Sequence, residues 1–340
     1  MDSLTQIVLG AACGEAVLGK KIGNKALLFG AIGGTIPDLD VMIGSLLYGN
    51  EIDAMLFHRG FMHSIVFAIL AAFALGWLTF RIYNTKSRVA QTTMKDWVHL
   101  YFWALFTHPI LDCFTPYGTQ LFAPFSNYRV AFNNIAVADV LYTIPFLLCM
   151  IVLMFYKRSH NRRRLWLKLG IGISAAYMLF TIVNKIYIDS VFKDSLSDIK
   201  LEYSRFSAQP TILNNILWYG IAETESDYQV AFYSLLDTSN RFSEWMVIPK
   251  KRLADSRFEK DMSCLSWFSN GYYNIKETSE GDFTYYDLRY PMVHTKEGYK
   301  PVFNLNLYES NNRLDMKPFE PETEDLKFTM TSLWYRLKGK

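Results

Sequence analysis

The stretch His58-Arg59-Gly60-Phe61-Met62-His63-Ser64 runs directly into the apolar segment Ile65 to Tyr83, and this junction decides how the chain reads. The apolar segment is close to the roughly 20 residues that cross a bilayer as a helix. Imidazole and guanidinium set against such a segment are costly unless they are paired or ligated. The expectation is a metal site assembled from several membrane helices, with His58 and His63 among its ligands.

Outward from this stretch, further apolar runs occupy Leu4 to Leu18, Ala26 to Ile36, Trp97 to Phe114, Val137 to Tyr156 and Leu165 to Ile188. With Ser64 to Tyr83 they predict a membrane α-helical bundle of about five to six helices. Gly10 and Gly14, and again Gly30 and Gly34, are spaced four apart, as in small-residue faces that let membrane helices approach closely. The first run follows Asp2 and precedes Lys20, Lys21 and Lys25, the reverse of a secretory signal, so it reads as a retained helix.

Beyond Ile188 the composition changes. The 340-residue average of 51% hydrophobic and 20% charged residues therefore hides a split into a membrane domain (1–188) and a soluble domain (189–340). Asn215 to Thr224, Asp227 to Leu236, Phe283 to Tyr290, Pro301 to Tyr308 and Leu326 to Leu337 read as strands separated by polar or glycine turns such as Gly281. They predict an extramembrane, mainly-β domain of six to eight strands. No catalytic constellation is visible there, and its His294 reads as an ordinary surface or packing residue. A net charge of +3 is too small to suggest nucleic acid. The four cysteines lack metal-type spacing and read as buried thiols.

The basic residues set an orientation. Lys20, Lys21 and Lys25 follow the first run, Arg81, Lys86, Arg88 and Lys95 the third, and Lys157, Arg158, Arg162, Arg163 and Arg164 the fifth. The positive-inside rule puts these three connections in the cytoplasm and the C-terminal domain outside it. On that topology Asp38, Asp40, His58, His63, His108, Asp112 and Asp139 all fall at one depth near the outer face, with Gln6 in the outer half of the first helix. Each has a plainer reading: turn formers for Asp38 and Asp40, a headgroup anchor for Arg59, a proline kink for His108, a helix N-terminus for Asp139. A shared depth would need all of these coincidences together. Imidazole and carboxylate suit zinc, manganese or iron, as one or two divalent ions. Asp40 or Asp139 would hold water or act as base, and Arg59 would stabilise an oxyanion. Gln6 and Ser64 would orient ligands, water or substrate.

Met1-Asp2-Ser3-Leu4-Thr5-Gln6, Pro37-Asp38-Leu39-Asp40, His58 to Ser64, and His108-Pro109-Ile110-Leu111-Asp112 with Thr115-Pro116-Tyr117-Gly118 occur in that order. In this the chain resembles the YdjM-like family of bacterial membrane-bound, predicted metal-dependent hydrolases, over about residues 1 to 156. The resemblance implies an inner-membrane helical protein with a metal centre, and as ligands Asp38, Asp40, His58, His63, His108 and Asp112. Many relatives carry Thr-His where this chain has Thr5-Gln6, which weakens any metal contact from the first helix. The expected function is metal-dependent hydrolysis of an amphiphilic lipid or envelope ester or phosphoester at the outer side of the inner membrane, with the bilayer itself as partner. The alternative is a metal-binding or metal-transporting membrane protein without hydrolytic activity. Transport would want polar groups along a path rather than at one depth.

Overall fold

A computed structural model describes residues 1–85, 88–253, 255–278, 282–295, 298–317 and 323–339, with the side chains of 293–295, 298–300 and 323–329 excluded. Lys86, Gly281 and the side chain of His294 lie outside the described residues. The chain forms two units, Met1–Gly44 with Phe57–Ile182, and Ser45–Leu56 with Val183–Lys340. The second unit thus takes up residues 45–56, which the sequence alone had assigned to the membrane domain.

Eight helices begin in the N-terminal half of the chain: α1 (Ser3–Ile22), α2 (Asn24–Thr35), α3 (Asp40–Leu47), α4 (Glu51–Phe57), α5 (Ile65–Tyr83), α6 (Met94–Asp112), α7 (Val140–Met154) and α8 (Asn161–Asp198). Two more, α9 (Glu259–Phe268) and α10 (Thr323–Leu337), follow in the second unit. The total among the described residues is ten, which corrects the expected five or six. The helices α3 and α4 are absent from the sequence expectation because neither is long enough to show a period of its own.

The starts of several helices are written in the sequence. Asp2 caps α1 by accepting from Thr5 N, and Ser64 caps α5 by accepting from Phe67 N. Thr93 and Asp96 form a reciprocal capping box on α6. The glycines set off at spacing four do face each other. A Cβ on Gly10 would lie 2.3 Å from the carbonyl oxygen of Gly30, and one on Gly34 would lie 2.5 Å from that of Gln6. Only hydrogen fits at this α1–α2 crossing.

Length and apolarity single out α5 and α8 as candidate membrane spans, and α2 with its continuation to Leu47, bent by 43°, makes a third if taken as one broken span. α5 buries Ala68, Ala72 and Gly76, a stripe of small residues, and presents Leu70, Phe73, Trp77 and Ile82 on its surface. Such a face is untenable in water and ordinary in lipid. α1, expected as a retained helix rather short for a full span, and α6, expected as a span, fall outside the candidate spans. Both contribute to the core of the unit, through Leu18, Trp97, Leu100 and Leu105.

The second unit has ten described strands: β1 (Arg205–Pro210), β2 (Leu217–Glu223), β3 (Asp227–Ser234), β4 (Ser243–Pro249), β5 (Tyr273–Glu277), β6 (Phe283–Asp287), β7 (Met292–Thr295), β8 (Gly298–Pro301), β9 (Asn304–Ser310) and β10 (Arg313–Met316). They form antiparallel sheets in the orders β1-β2-β3-β4, β10-β9-β6-β5 and β7-β8. β2 is buried on both faces. Trp218 and Ala222 join Ile188 and Phe192 from the end of α8, while Leu217, Tyr219 and Ile221 meet Tyr272, Leu288 and Leu333. The expected strand at 326–337 is instead most of α10. Leu333 and Leu337 stand four apart and share a helical face towards that second core, a period-3.6 pattern that mimics alternation over a short window.

Candidate metal centre

Four side-chain atoms from three parts of the chain converge in the helical unit. His63 Nε2 lies 3.1 Å from His108 Nε2, 3.5 Å from Asp38 Oδ1 and 3.4 Å from Asp112 Oδ2. His108 Nε2 lies 3.4 Å from Asp38 Oδ1 and 3.5 Å from Asp112 Oδ2. The local sequence explains each placement. Pro37 opens a tight 3-10 turn that carries Asp38 out of the line of α2. His63 ends a second such turn just before the Ser64 cap. His108 and Asp112 are four apart on α6 and so share a face.

The outward sides of both imidazoles are held. His108 Nδ1 is 2.7 Å from the carbonyl oxygen of Gly34, which can only accept, so Nδ1 carries the hydrogen. His63 Nδ1 is 2.9 Å from Asp40 Oδ2, in ion-pair contact though poorly aligned for a hydrogen bond. With a hydrogen on each Nδ1, both Nε2 lone pairs face each other across 3.1 Å, with two carboxylate oxygens beside them. That arrangement is repulsive unless a proton or a cation sits between them.

The residues present fit a cation on three further counts. Asp112 Oδ2 is fully buried and accepts no hydrogen bond. His63 Nε2, His108 Nε2 and Asp38 Oδ1 stand 3.1–3.5 Å from one another, a spacing that one divalent ion can bridge, and Asp112 Oδ2 stands 3.4–3.5 Å from both imidazole nitrogens. The imidazole–carboxylate and imidazole–carbonyl contacts are the supports that metal-bound histidines ordinarily have.

The other sequence-derived site residues take different places. Asp40 is fully buried but its oxygens are engaged by His58 Nδ1 at 2.7 Å, by the backbone N–H of Arg59 at 2.9 Å and by His63. Both oxygens are thus engaged, an arrangement suited to orienting His58 and His63. His58 sits beyond it, partly exposed and edge-on to Tyr117. Asp40, His58 and His63 make a second trio with metal-compatible spacing, alongside Asp38, His63 and His108. The two trios share His63, whose ring would have to ligate through both nitrogens to serve both. Ser64 spends its hydroxyl on the cap of α5. Asp139 stands outside both trios. One oxygen accepts from Leu141 N and Tyr142 N at the start of α7, and the other from the Tyr177 hydroxyl. The helix-terminus reading is the one its contacts match.

Arg59 is buried, with a positive φ of 59°, unusual for a side chain with a Cβ. Its guanidinium lies over the Tyr117 ring, donates to Thr115 Oγ1 at 3.0 Å and stands 3.4 Å from Asp112 Oδ2. Gln6 Nε2 donates to Asp112 Oδ1 at 2.9 Å and to the His108 carbonyl at 3.2 Å. The amino group of Met1 also contacts Asp112 Oδ1. Thr115, Tyr117 and the Gly34 carbonyl stand around these atoms in places that the sequence does not assign. Their signal was adjacency in sequence to Asp112 and Asp38, which by itself names no partner.

A helical unit with lipid-compatible helices and a buried histidine–aspartate cluster defines a membrane protein with a candidate cation site. The family model described as YdjM inner membrane protein matches residues 1–188, and the chain belongs to that family. Over 149 residues it is 30% identical to the "Uncharacterized protein YfhP" of Bacillus subtilis (strain 168), a match covering 41% of this chain and 42% of that protein. The chain thus spans less than half the length of this relative. No solved structure matches it.

Proposed function

We propose that the protein is a metal-dependent hydrolase of the inner membrane that acts on an amphiphilic ester or phosphoester. The observation that carries this reading is the convergence of His63 Nε2, His108 Nε2, Asp38 Oδ1 and Asp112 Oδ2. These four residues would hold one divalent ion, with zinc favoured by the nitrogen–oxygen donor set and manganese or iron as the other candidates. Asp40 and the Gly34 carbonyl hold the Nδ1 sides of the two imidazoles and aim their Nε2 atoms inward. Gln6 fixes the rotation of Asp112. Such an ion, when bound, supplies Lewis acidity and lowers the pKa of water from about 15.7 towards 7. Asp38 is the one partly exposed corner, at 20%, so water and substrate approach from its side. Arg59 is a preformed cation beside Asp112 and suits an oxyanion or phosphate oxygen there. A site among apolar helices favours a substrate with a lipid-like tail.

A second reading rests on the count of ligands. Four protein atoms close a tetrahedral sphere, as in structural zinc sites, whereas catalytic sites keep a position open. Metal binding without hydrolysis would follow if Asp38 stays bound throughout.

The test begins with metal analysis of the purified protein beside His63→Ala and Asp112→Ala. One zinc per chain in the wild type and none in the variants is expected; a metal-free wild type would sink the reading. Zinc-dependent turnover of ester or phosphoester lipids in mixed micelles then separates the enzyme from the binding protein. By the positive-inside rule, we further place the basic connections in the cytoplasm, the chain across the membrane several times and the second unit outside. A Ser239→Cys label in a Cys264→Ser background should then react with an impermeant reagent in spheroplasts. Reaction only after lysis would invert this topology.

A further inference from the structure

The basic residues around the α1–α2 junction and around the connection from α7 into α8 do more than mark a side of the membrane. They line two adjoining cavities. One, of about 460 Å³, is bounded by Glu15, Lys20, Arg158, His160, Arg163 and Arg164, with Ser159 and Asn161 between them. The other, of about 520 Å³, adds Lys25 and Lys157 and shares Arg158, Ser159 and Arg163. Together they gather six cations against a single carboxylate.

That carboxylate is already spent. Arg163 donates through Nε to Glu15 Oε1 at 2.7 Å and through its second terminal nitrogen to Oε2 at 2.5 Å, and the pair is buried. The remaining terminal nitrogen of Arg163 donates to Asn24 Oδ1 at 2.7 Å and to the Tyr156 carbonyl at 2.9 Å. This pair is a fixed, neutral wall. Arg158 donates to the carbonyl of Lys21, which turns its guanidinium onto the α1–α2 connection. Lys20 and Arg164 are exposed and make no ion pair with any described residue. A topology signal requires only that lysine and arginine be present in the connection. It requires neither a concave arrangement nor a buried ion pair to shape one, and unneutralised cations crowded into a cavity repel each other.

We infer that this basic cavity is a binding site for a phosphate-bearing anion, with the headgroup of an anionic membrane lipid as its source. Arg158, Arg164 and Lys20 supply the charge, Ser159 and Asn161 supply neutral donors, and the N-terminus of the long helix α8 opens at the same place. The apolar side chains of Ala16 and Leu167 border it on the side of the helices, where the lipid tails would leave. Basic pockets beside membrane helices are suited to such headgroups.

The experiment uses the full chain in nanodiscs of phosphatidylcholine alone or with phosphatidylglycerol, with retained lipid read by native mass spectrometry after mild detergent transfer. Preferential retention of phosphatidylglycerol is expected, with at least about a tenfold loss of preference in Lys20→Gln/Arg164→Gln. Both side chains lack described partners, so the double variant should fold, which its unchanged thermal midpoint would verify. Arg81→Gln, in the last turn of α5 and outside both cavity linings, should retain the preference. Equal retention of the two lipids by the wild type, or an unchanged preference in the double variant, would overturn the proposal. Titration of delipidated protein with inorganic phosphate distinguishes the sources. Phosphate binding with no lipid preference would refute the lipid source, and displacement of phosphatidylglycerol by phosphate would support the shared chemistry.

Discussion

Replacing His63 by alanine removes one corner of the four-atom set and leaves its neighbours unsupported. His108 Nε2 and the oxygens of Asp38 and Asp112 would remain, a three-donor site that zinc holds far less well. Loss of an orienting partner alone typically costs 10–100-fold in affinity, so loss of a ligand should cost at least about 100-fold, or about 2.7 kcal/mol. His58 provides the control. It lies five positions earlier in the same segment, but its ring contacts Asp40 rather than the four converging atoms. His58→Ala should therefore cost no more than about tenfold. Competition with a fluorescent zinc chelator on the detergent-solubilised protein measures both constants. X-ray absorption of the zinc-loaded wild type should show only nitrogen and oxygen neighbours at about 2.0–2.1 Å, two of them imidazole. Equal losses in the two histidine variants would refute the assignment of His63 as an inner ligand and His58 as an outer one. A sulfur neighbour at about 2.3 Å would refute the donor set altogether.

Asp40→Asn keeps the size of the side chain but weakens its grip on His63, so zinc affinity should fall about 10–100-fold at unchanged stoichiometry, as equilibrium dialysis would show. Asp139→Ala should cost about 1 kcal/mol of stability through the lost cap on α7, seen as a lower thermal midpoint, and leave zinc affinity as it was. Gly10→Ala would place a Cβ 2.3 Å from the Gly30 carbonyl oxygen and force α1 from α2, with a cost of about 1–3 kcal/mol read from detergent-resistant unfolding. In the second unit the hydrogen bonds from Arg313 hold the Asp53 carboxyl below the usual carboxylate range. A depressed carboxylate contributes stability above its unfolded value of about 3.9 and loses it as pH falls through the lower folded value. Part of the pair is solvated, so the contribution is under about 1 kcal/mol. Thermal unfolding between about pH 6 and pH 3 should be slightly less acid-sensitive in Asp53→Asn than in the wild type.

The sequence by itself determined which residues are chemically able to join a candidate cation site. A histidine next to an apolar run is expensive, and that cost picked out the His58–Ser64 segment before any contact was known. The helix N-terminus at Asp139 and the glycine pairs on α1 and α2 were legible because each is a local rule with a local signature. Where the rule was local but the window short, the reading failed, as with α3, α4 and α10.

Only the tertiary structure decided how the candidates divide. His58 and His63 are indistinguishable as letters, yet the turn at Phe61–His63 aims one ring at His108 and leaves the other behind Asp40. Asp38 and Asp40 are two apart in one turn, and one meets the two Nε2 atoms while the other holds His63 from behind. Gly34 entered the site through its carbonyl, a group every residue has and no sequence can single out. The segment 45–56 likewise joins the second unit through Ile52 in its core, Asn50 bonded to the Leu314 carbonyl and Asp53 paired with Arg313, partners some 260 positions away. Convergence of this kind depends on helix crossings and turn directions set by packing across the whole unit, and no local window of sequence contains them.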